Sequence, residues 1–307
     1  MAHENTIKPF EKGDVLVACT LLNNPDDDHA GDGRIFQFDA DLNEKGVLWT
    51  ENTTHLVNGL KFGPDGTLWA FDQHYHVVLN IDPKSGQESV VEGLVKRSLS
   101  NVNFMADGSK LFGEHLKSDK NLPGTHAEAI NESGAIGEGK IFKYDPSGKL
   151  VAEFEPAVHG GIARFLGVTC ALLMPDDRTL LYMTETSNEV RRFDVVDGKQ
   201  LPPLATYGEG REGFVFFLNT MPDGRLMLTR GDHIEFLNPE TGAIEHQVPQ
   251  EGFGWAVICG ALDNVHAYSG NFFTGEIAKF NTETGEKVAS QNLGVQRSLA
   301  GVAQYPG

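Results

Sequence analysis

The strongest constraint on this chain is a recurring punctuation of turn residues between short apolar runs. NGLKFGPDG, NVNFMADG, CALLMPDD, FLNTMPDG and CGALDN each close an apolar run with a tight turn, and a second apolar run follows at once: TLWAFD, KLFGEH, TLLYMTET, RLMLTR or VHAYSG. Two β-rich runs joined through Pro, Asp and Gly read as a hairpin. A second element follows each hairpin, as in HVVLNIDPKSG, KIFKYDPSG and HIEFLNPETG. There a strand stops at Asp39, Asp82, Asp145, Asp194, Asn238 or Asn281 and turns through Gly into a fourth run. The Asp or Asn side chain can accept the N–H groups of the turn, while Gly supplies the positive φ.

A four-stranded unit repeated along a chain is the blade of a β-propeller. Six anchors define six blades, and the longer stretch between Asp82 and Asp145 holds an insertion. RSLAGVAQ near the C-terminus matches RSLSNVNF at Arg97–Phe104, so the last segment is expected to supply the innermost strand of the first blade, whose other strands begin at GDVLVACT. The expected fold is all-β: a six-bladed β-propeller, four strands per blade, closed by the C-terminal segment, with residues 1–307 forming one domain. At 40% hydrophobic and 22% charged residues, the composition supports a sizeable core without disulfides. Cys19, Cys170 and Cys259 are widely spaced in apolar runs and read as buried free thiols.

Forty-three acidic against 25 basic residues give a formal charge of −18, which argues against binding nucleic acid or anionic lipid. No apolar run is long enough to span a membrane, and MAHENTIKPFEKGD does not read as a secretory signal, so a cytoplasmic location is expected.

In a propeller, the loops leading into the innermost strands gather around one mouth of the channel, together with the loops between second and third strands. Arg97, Arg164, Arg211 and Arg297 recur just before innermost strands, with His55 in the equivalent place of blade two. Such a collar would form a positive well for a carboxylate or phosphate on an acidic protein; the competing reading is that these arginines tie neighbouring blades together. The second-to-third-strand loops supply His74 and His76, Glu114 and His115, Glu185, Arg230 with Asp232 and His233, and Asn271. A histidine beside a carboxylate at a strand end is suited to acid/base chemistry, because imidazole titrates near neutrality. Phe214, Phe216, Phe217, Phe253 and Trp255 form either an apolar surface patch or blade packing. Two long loops, one carrying Asp26, Asp27, Asp28 and Asp32 and the other running from His115 to Gly139, reach the same rim. The aspartate run does not have calcium-loop spacing and reads as a solvated acidic loop.

NGLKFGPDGTLWAFD, MPDDRTLLYMTETSNEVRRFD and MPDGRLMLTRGDHIEFLNPETG together resemble the senescence-marker-protein/gluconolactonase group of six-bladed propellers. The resemblance implies lactone or phosphoester hydrolysis with one divalent cation, held by a Glu, two Asn and an Asp at the starts of innermost strands. In the register set by Asn58, those positions hold Ser100, Thr169 and Phe216, with Ala300 where the Glu would stand; a one-residue slip restores Asn101 alone. The cation set is therefore expected to be missing, since a hydroxyl or phenyl does not replace a carboxylate for calcium.

What remains is an expected small-molecule enzyme, a lactonase-like hydrolase or lyase, acting without a cofactor on an anionic and aromatic or lactone-bearing metabolite. The candidate catalytic residues are His115, Glu114, Glu185, His74 and His76. Substrate contacts are expected from Arg97, Arg164, Arg211, Arg297, His55, Asn58, Ser100, Asn101, Thr169, Phe216 and Arg230. Two alternatives stay open: a divalent metal bound by histidines such as His55, His74 and His115, and a non-catalytic ligand-binding or interaction propeller.

Overall fold

The structure is a computed structural model that describes residues 3–24, 31–51, 53, 57–73, 75–115, 117–118, 139–158, 165–184, 187–208 and 213–307. Six antiparallel four-stranded sheets form the blades of the expected propeller, and the described residues contain no α-helix. From the channel outward, blade two runs Val57–Phe62, Leu68–Asp72, Val77–Ile81 and Glu88–Val90. Blade three runs Leu99–Phe104, Lys110–Glu114, Ile141–Tyr144 and Leu150–Phe154. The innermost strands of blades four, five and six are Cys170–Leu173, Phe217–Thr220 and Trp255–Gly260. Blade one is completed by the far end of the chain, as expected: Gly301–Gln304 pairs with Val15–Leu22, joining Val15 to Gln304 and Ala18 to Gly301.

Why the second strands are buried along nearly their whole length, rather than on alternate residues, follows from the period-two geometry of a strand placed between two neighbours. Leu16 and Ala18 of blade one pack with Leu68 and Ala70 of blade two, whereas Val15, Val17 and Cys19 face Val257, Tyr268 and Ile277 of blade six. Trp69 and Phe71, the alternate residues of blade two, pack on Phe112, Phe142 and Tyr144 of blade three. The remaining seams are filled in the same way. The core is thus a ring of slabs between blades. The outermost strands have water on one side, and Lys287–Asn292 is largely exposed.

Each anchor predicted from the repeat does its turn chemistry. Asp82 Oδ1 accepts the amides of Lys84 and Ser85 at 2.8 Å each, and Asn281 Oδ1 accepts those of Glu283 and Thr284 at 2.9 and 3.0 Å. Asp39, Asp145, Asp194 and Asn238 do the same. The backbone bond from Ser85 and its hydroxyl hold the Asp82 carboxyl below its ordinary pKa.

One edge is closed by a device the repeat does not encode. Thr6 and Ile7 donate their amides to the Val47 carbonyl, Trp49 N donates to Asn5 Oδ1 at 2.6 Å, and the His3 ring stacks on Trp49 at 3.7 Å. The N-terminal segment thereby covers the outer edge of blade one, which would otherwise be free to pair.

Candidate functional site

At the mouth between blades two and three, several of the expected residues come together. Glu114, at the end of a second strand, is 1% exposed, and its Oε2 accepts the amides of Gly139 and Lys140 at 2.9 Å each. Its other oxygen stands 3.8 Å from Arg97 Nε. His115 is buried and donates its amide to the Ser98 carbonyl at 2.6 Å, while the Glu114 carbonyl accepts the Val168 amide at 2.8 Å. This pair of residues therefore straps three loops together: the one leading into blade three, the one returning to its third strand, and the one leading into blade four. A Cβ on Gly167 would lie 2.0 Å from the His115 carbonyl oxygen, so this approach requires glycine.

His76 completes the group. It holds a left-handed backbone (φ 59°) and lies beside Arg97. Burial pushes its pKa below the ordinary value; a hydrogen bond to the Arg97 backbone opposes this and the Arg97 charge reinforces it. The outcome favours neutral imidazole.

Ser100 and Asn101 serve first as a seam between blades three and four. Ser100 Oγ reaches the carbonyls of Val168 and Thr169 at 3.0 and 2.8 Å, and Asn101 Nδ2 reaches Ser100 Oγ and the Val168 carbonyl at 3.0 Å each. Both residues also line a channel cavity, with Thr169, that is bounded by the innermost strands of blades two to five. Its volume is about 30 Å³. That is room for roughly two waters rather than a metabolite. A larger ligand belongs at the mouth above.

Phe216 belongs to a run of rings on the opposite side of the mouth. Its centroid lies 6.3 Å from Phe214 and 5.7 Å from Phe253, which stacks on Phe273 at 6.3 Å, and Phe272 follows at 5.4 Å from Phe273. Phe273 is 45% exposed. Trp255, grouped with these rings in the sequence, is instead buried against Phe280, and Phe217 packs into the core between blades. In a ring of six blades the seam of blades five and six lies across from that of blades two and three. The Arg97, Glu114, His76 and His115 group and the phenylalanine rings therefore belong to opposite seams of the ring.

The arginines of the expected collar do not share one role. Arg97 faces Glu114, and Arg297 is exposed on a left-handed backbone (φ 55°). Outside the collar, Arg230 of a second-to-third-strand loop turns away into blade five, donating to Glu235 Oε1 at 2.8 Å and the Phe214 carbonyl at 2.7 Å, with its guanidinium 3.8 Å from the Tyr207 ring centroid. His55, His74, Arg164, Glu185, Arg211 and Asp26 to Asp28 lie outside the described residues, as does most of the blade-three insertion, and Asn58 is described by its backbone alone. Asp32 meets His3 at 3.1 Å. Among the described residues no three His, Cys, Asp or Glu side chains are grouped as a metal site.

One residue that the sequence reading passed over lines the channel cavity: Lys61, in the innermost strand of blade two. Aligning the turns places Asn103, Leu172, Asn219 and Cys259 at the equivalent repeat positions, so a single charge in an otherwise uncharged column was the available signal.

Fold and mouth define a six-bladed β-propeller with polar and aromatic groups at opposite seams. No protein-family model matches the chain. A gluconolactonase of Zymomonas mobilis subsp. mobilis is 27% identical over 175 residues, which is 54% of this chain and 45% of that protein, so the match spans less than half of the relative's length. Among solved structures, a nidogen/laminin complex aligns over 94% of this chain and 97% of its own at a TM-score of 0.66 and 12% identity. A streptogramin B lyase aligns over 97% and 86% at 0.51 and 13% identity. At such identities the structural matches establish the propeller fold alone. No helix among the described residues is long and apolar enough to cross a membrane.

Proposed function

We propose that this propeller is a lactonase-like hydrolase or lyase that acts at the channel mouth on an anionic metabolite with an aromatic or otherwise apolar body. The observation that carries the reading is the grouping of His76, Arg97, Glu114 and His115 at one seam, with the rings of Phe216, Phe253 and Phe273 at the opposite one. The partial likeness to a gluconolactonase supports the reaction class. In hydrolysis, a neutral imidazole, His76 or His115, takes a proton from water as its oxygen adds to the lactone carbonyl. The ring C–O bond then breaks, and the leaving alkoxide takes the proton back from the imidazolium, giving a hydroxy acid. Arg97 attracts the anionic group, and Glu114, fixed by two backbone amides, orients the guanidinium.

The residues present do not fit the divalent cation of the senescence-marker-protein/gluconolactonase group. Ser100, Thr169, Phe216 and Ala300 stand at the starts of innermost strands where that cation needs carboxylate and amide oxygens; the Ser100 hydroxyl is bonded to two carbonyls, and the Phe216 ring packs on its neighbours. The proposed chemistry therefore runs through side chains alone.

The test is proton release from a panel of aldonic and aryl-substituted lactones, with elemental analysis of the same preparation. His115→Ala and His76→Gln are expected to lower kcat, by about 100-fold or more for whichever imidazole is the base, with no loss of activity on chelation. Unchanged turnover in both His115→Ala and His76→Gln would overturn the reading. A stoichiometric metal whose removal abolishes activity would replace it with a histidine-ligated metal site, for which His55, His74 and His115 are the candidates.

A further inference from the structure

Lys61 brings an ammonium group into a channel cavity whose described lining residues include no carboxylate. The residues lining the cavity around it include Ser100, Asn101, Thr169, Cys170 and Asn219, and none is a carboxylate. Among the described residues no hydrogen-bond or ion-pair partner of Lys61 is found, whereas the Cys170 thiol beside it donates to the Leu218 carbonyl at 3.2 Å. Burial pushes that thiol up to about 11, so it does not supply a thiolate to balance the amine. A partly exposed ammonium with no carboxylate among the residues lining its cavity favours a bound anion or loss of the proton.

Two further observations favour the anion. The innermost strand of every blade pairs on one side only, so its free edge presents backbone N–H groups, alternating with carbonyls, to the channel. The cavity, at about 30 Å³, has room for a monatomic ion. We propose that the channel beneath the mouth is a site for one small inorganic anion of halide size, held by the Lys61 ammonium and the edge amides of the innermost strands. The acidic chain concentrates no anions at its surface, so occupancy depends on this local cation. Burial lowers the pKa of the free amine, with the nearby Cys170 opposing that shift, and a bound anion reverses the tendency by favouring the charged form. The site shares no charged residue with the proposed reaction at the mouth, and its test needs no substrate.

The experiment compares melting temperatures in sodium chloride and in sodium methanesulfonate at equal ionic strength, for wild type, Lys61→Met and Lys61→Gln. At a hundredfold excess over the dissociation constant, chloride is expected to raise the wild-type melting temperature by about 4 °C relative to methanesulfonate, and the difference is expected to vanish in both variants. Crystals of the wild-type protein soaked in sodium bromide should show an anomalous peak within hydrogen-bond distance of Lys61 Nζ, a readout that stands even if neither variant folds. Absence of that peak overturns the proposal, and so does a chloride effect that persists in the variants.

Discussion

Glu235→Gln keeps the shape of a side chain that accepts four hydrogen bonds and removes its charge. Glu235 Oε1 receives Arg230 Nη1 at 2.8 Å, Gln247 Nε2 at 3.1 Å and His233 Nε2 at 3.2 Å, and Oε2 receives the Tyr207 hydroxyl at 2.8 Å. The Arg230 and Glu235 side chains are 5% and 2% exposed, so the variant takes the paired carboxylate away from a buried guanidinium. Removing one partner of such a pair costs about 3–5 kcal/mol. An unfolding entropy of about 2.1 cal/mol/K per residue gives a chain of this length roughly 0.6 kcal/mol per degree. The melting temperature should therefore fall by about 5–8 °C, read by calorimetry near pH 6. Arg230→Met combined with Glu235→Leu should recover most of that loss, because apolar residues of similar volume avoid the desolvation of both charges. A fall of less than about 1 °C in the single variant, or a double variant as unstable as the single, would refute the claim that this buried pair holds the seam between blades four and five.

The same network predicts a pH dependence. The hydrogen bond to Glu235 raises the His233 pKa, with Asp232 adding to it, so this contribution is complete below the ordinary imidazole value and lost as pH climbs through the raised one. For Glu235, burial works upward but is outweighed by the bonds from His233 and Tyr207 and by the Arg230 charge, so its contribution is present above the ordinary carboxylate value and lost as pH falls through the lowered one. The stability gap between wild type and His233→Gln should peak near pH 5–6, at about 1 kcal/mol, and shrink by pH 9; denaturant midpoints across pH would read it, and a gap that widens with pH would contradict the assignment. Burial pushes Cys19 and Cys170 to about 11 and Cys259 to about 12, so an aromatic disulfide reagent should label no thiol in the native protein and three in denaturant. Gly59→Ala places a Cβ 1.9 Å from the Ser100 carbonyl oxygen at φ +58° and should cost about 2–4 kcal/mol in urea unfolding; a variant within 0.5 kcal/mol of wild type would show that the two innermost strands separate easily, against the packing described. Deleting residues 3–10 uncovers the edge beside Val47 and Trp49 and should raise light scattering on warming without loss of β signal in circular dichroism; unchanged scattering would mean that the edge needs no cover.

The blade plan was legible because each of its causes is local. A turn anchored by Asp82 or Asn281 needs only the side chain, two amides and a glycine a few residues on, all contiguous in sequence. Ring closure was readable for a different reason: RSLAGVAQ repeats the string of another innermost strand, and such a strand needs a partner, which Val15–Leu22 supplies. Roles at the mouth follow another logic. Arg97 and Arg230 are both expected from the sequence to contact substrate from the rim, yet one faces Glu114 at the opening and the other is drawn into blade five by Glu235, a residue in the third strand with no motif of its own. Trp255 and Phe253 are two residues apart, and one is core while the other lines the mouth.

Repeat position therefore fixes which rim a side chain starts from, but its direction is decided by partners contributed by other strands and blades. Lys61 gives the same lesson in reverse. Its column in the repeat is apolar or amide elsewhere, and a strand rule would place it simply as one residue of an innermost strand; only when four innermost strands are brought around one cavity does the absence of a lining carboxylate become visible. A charge that breaks a repeat column is worth following into the structure for that reason. The repeat accounts for every group needed to build a blade, so a residue it does not require must be justified by what the assembled ring encloses.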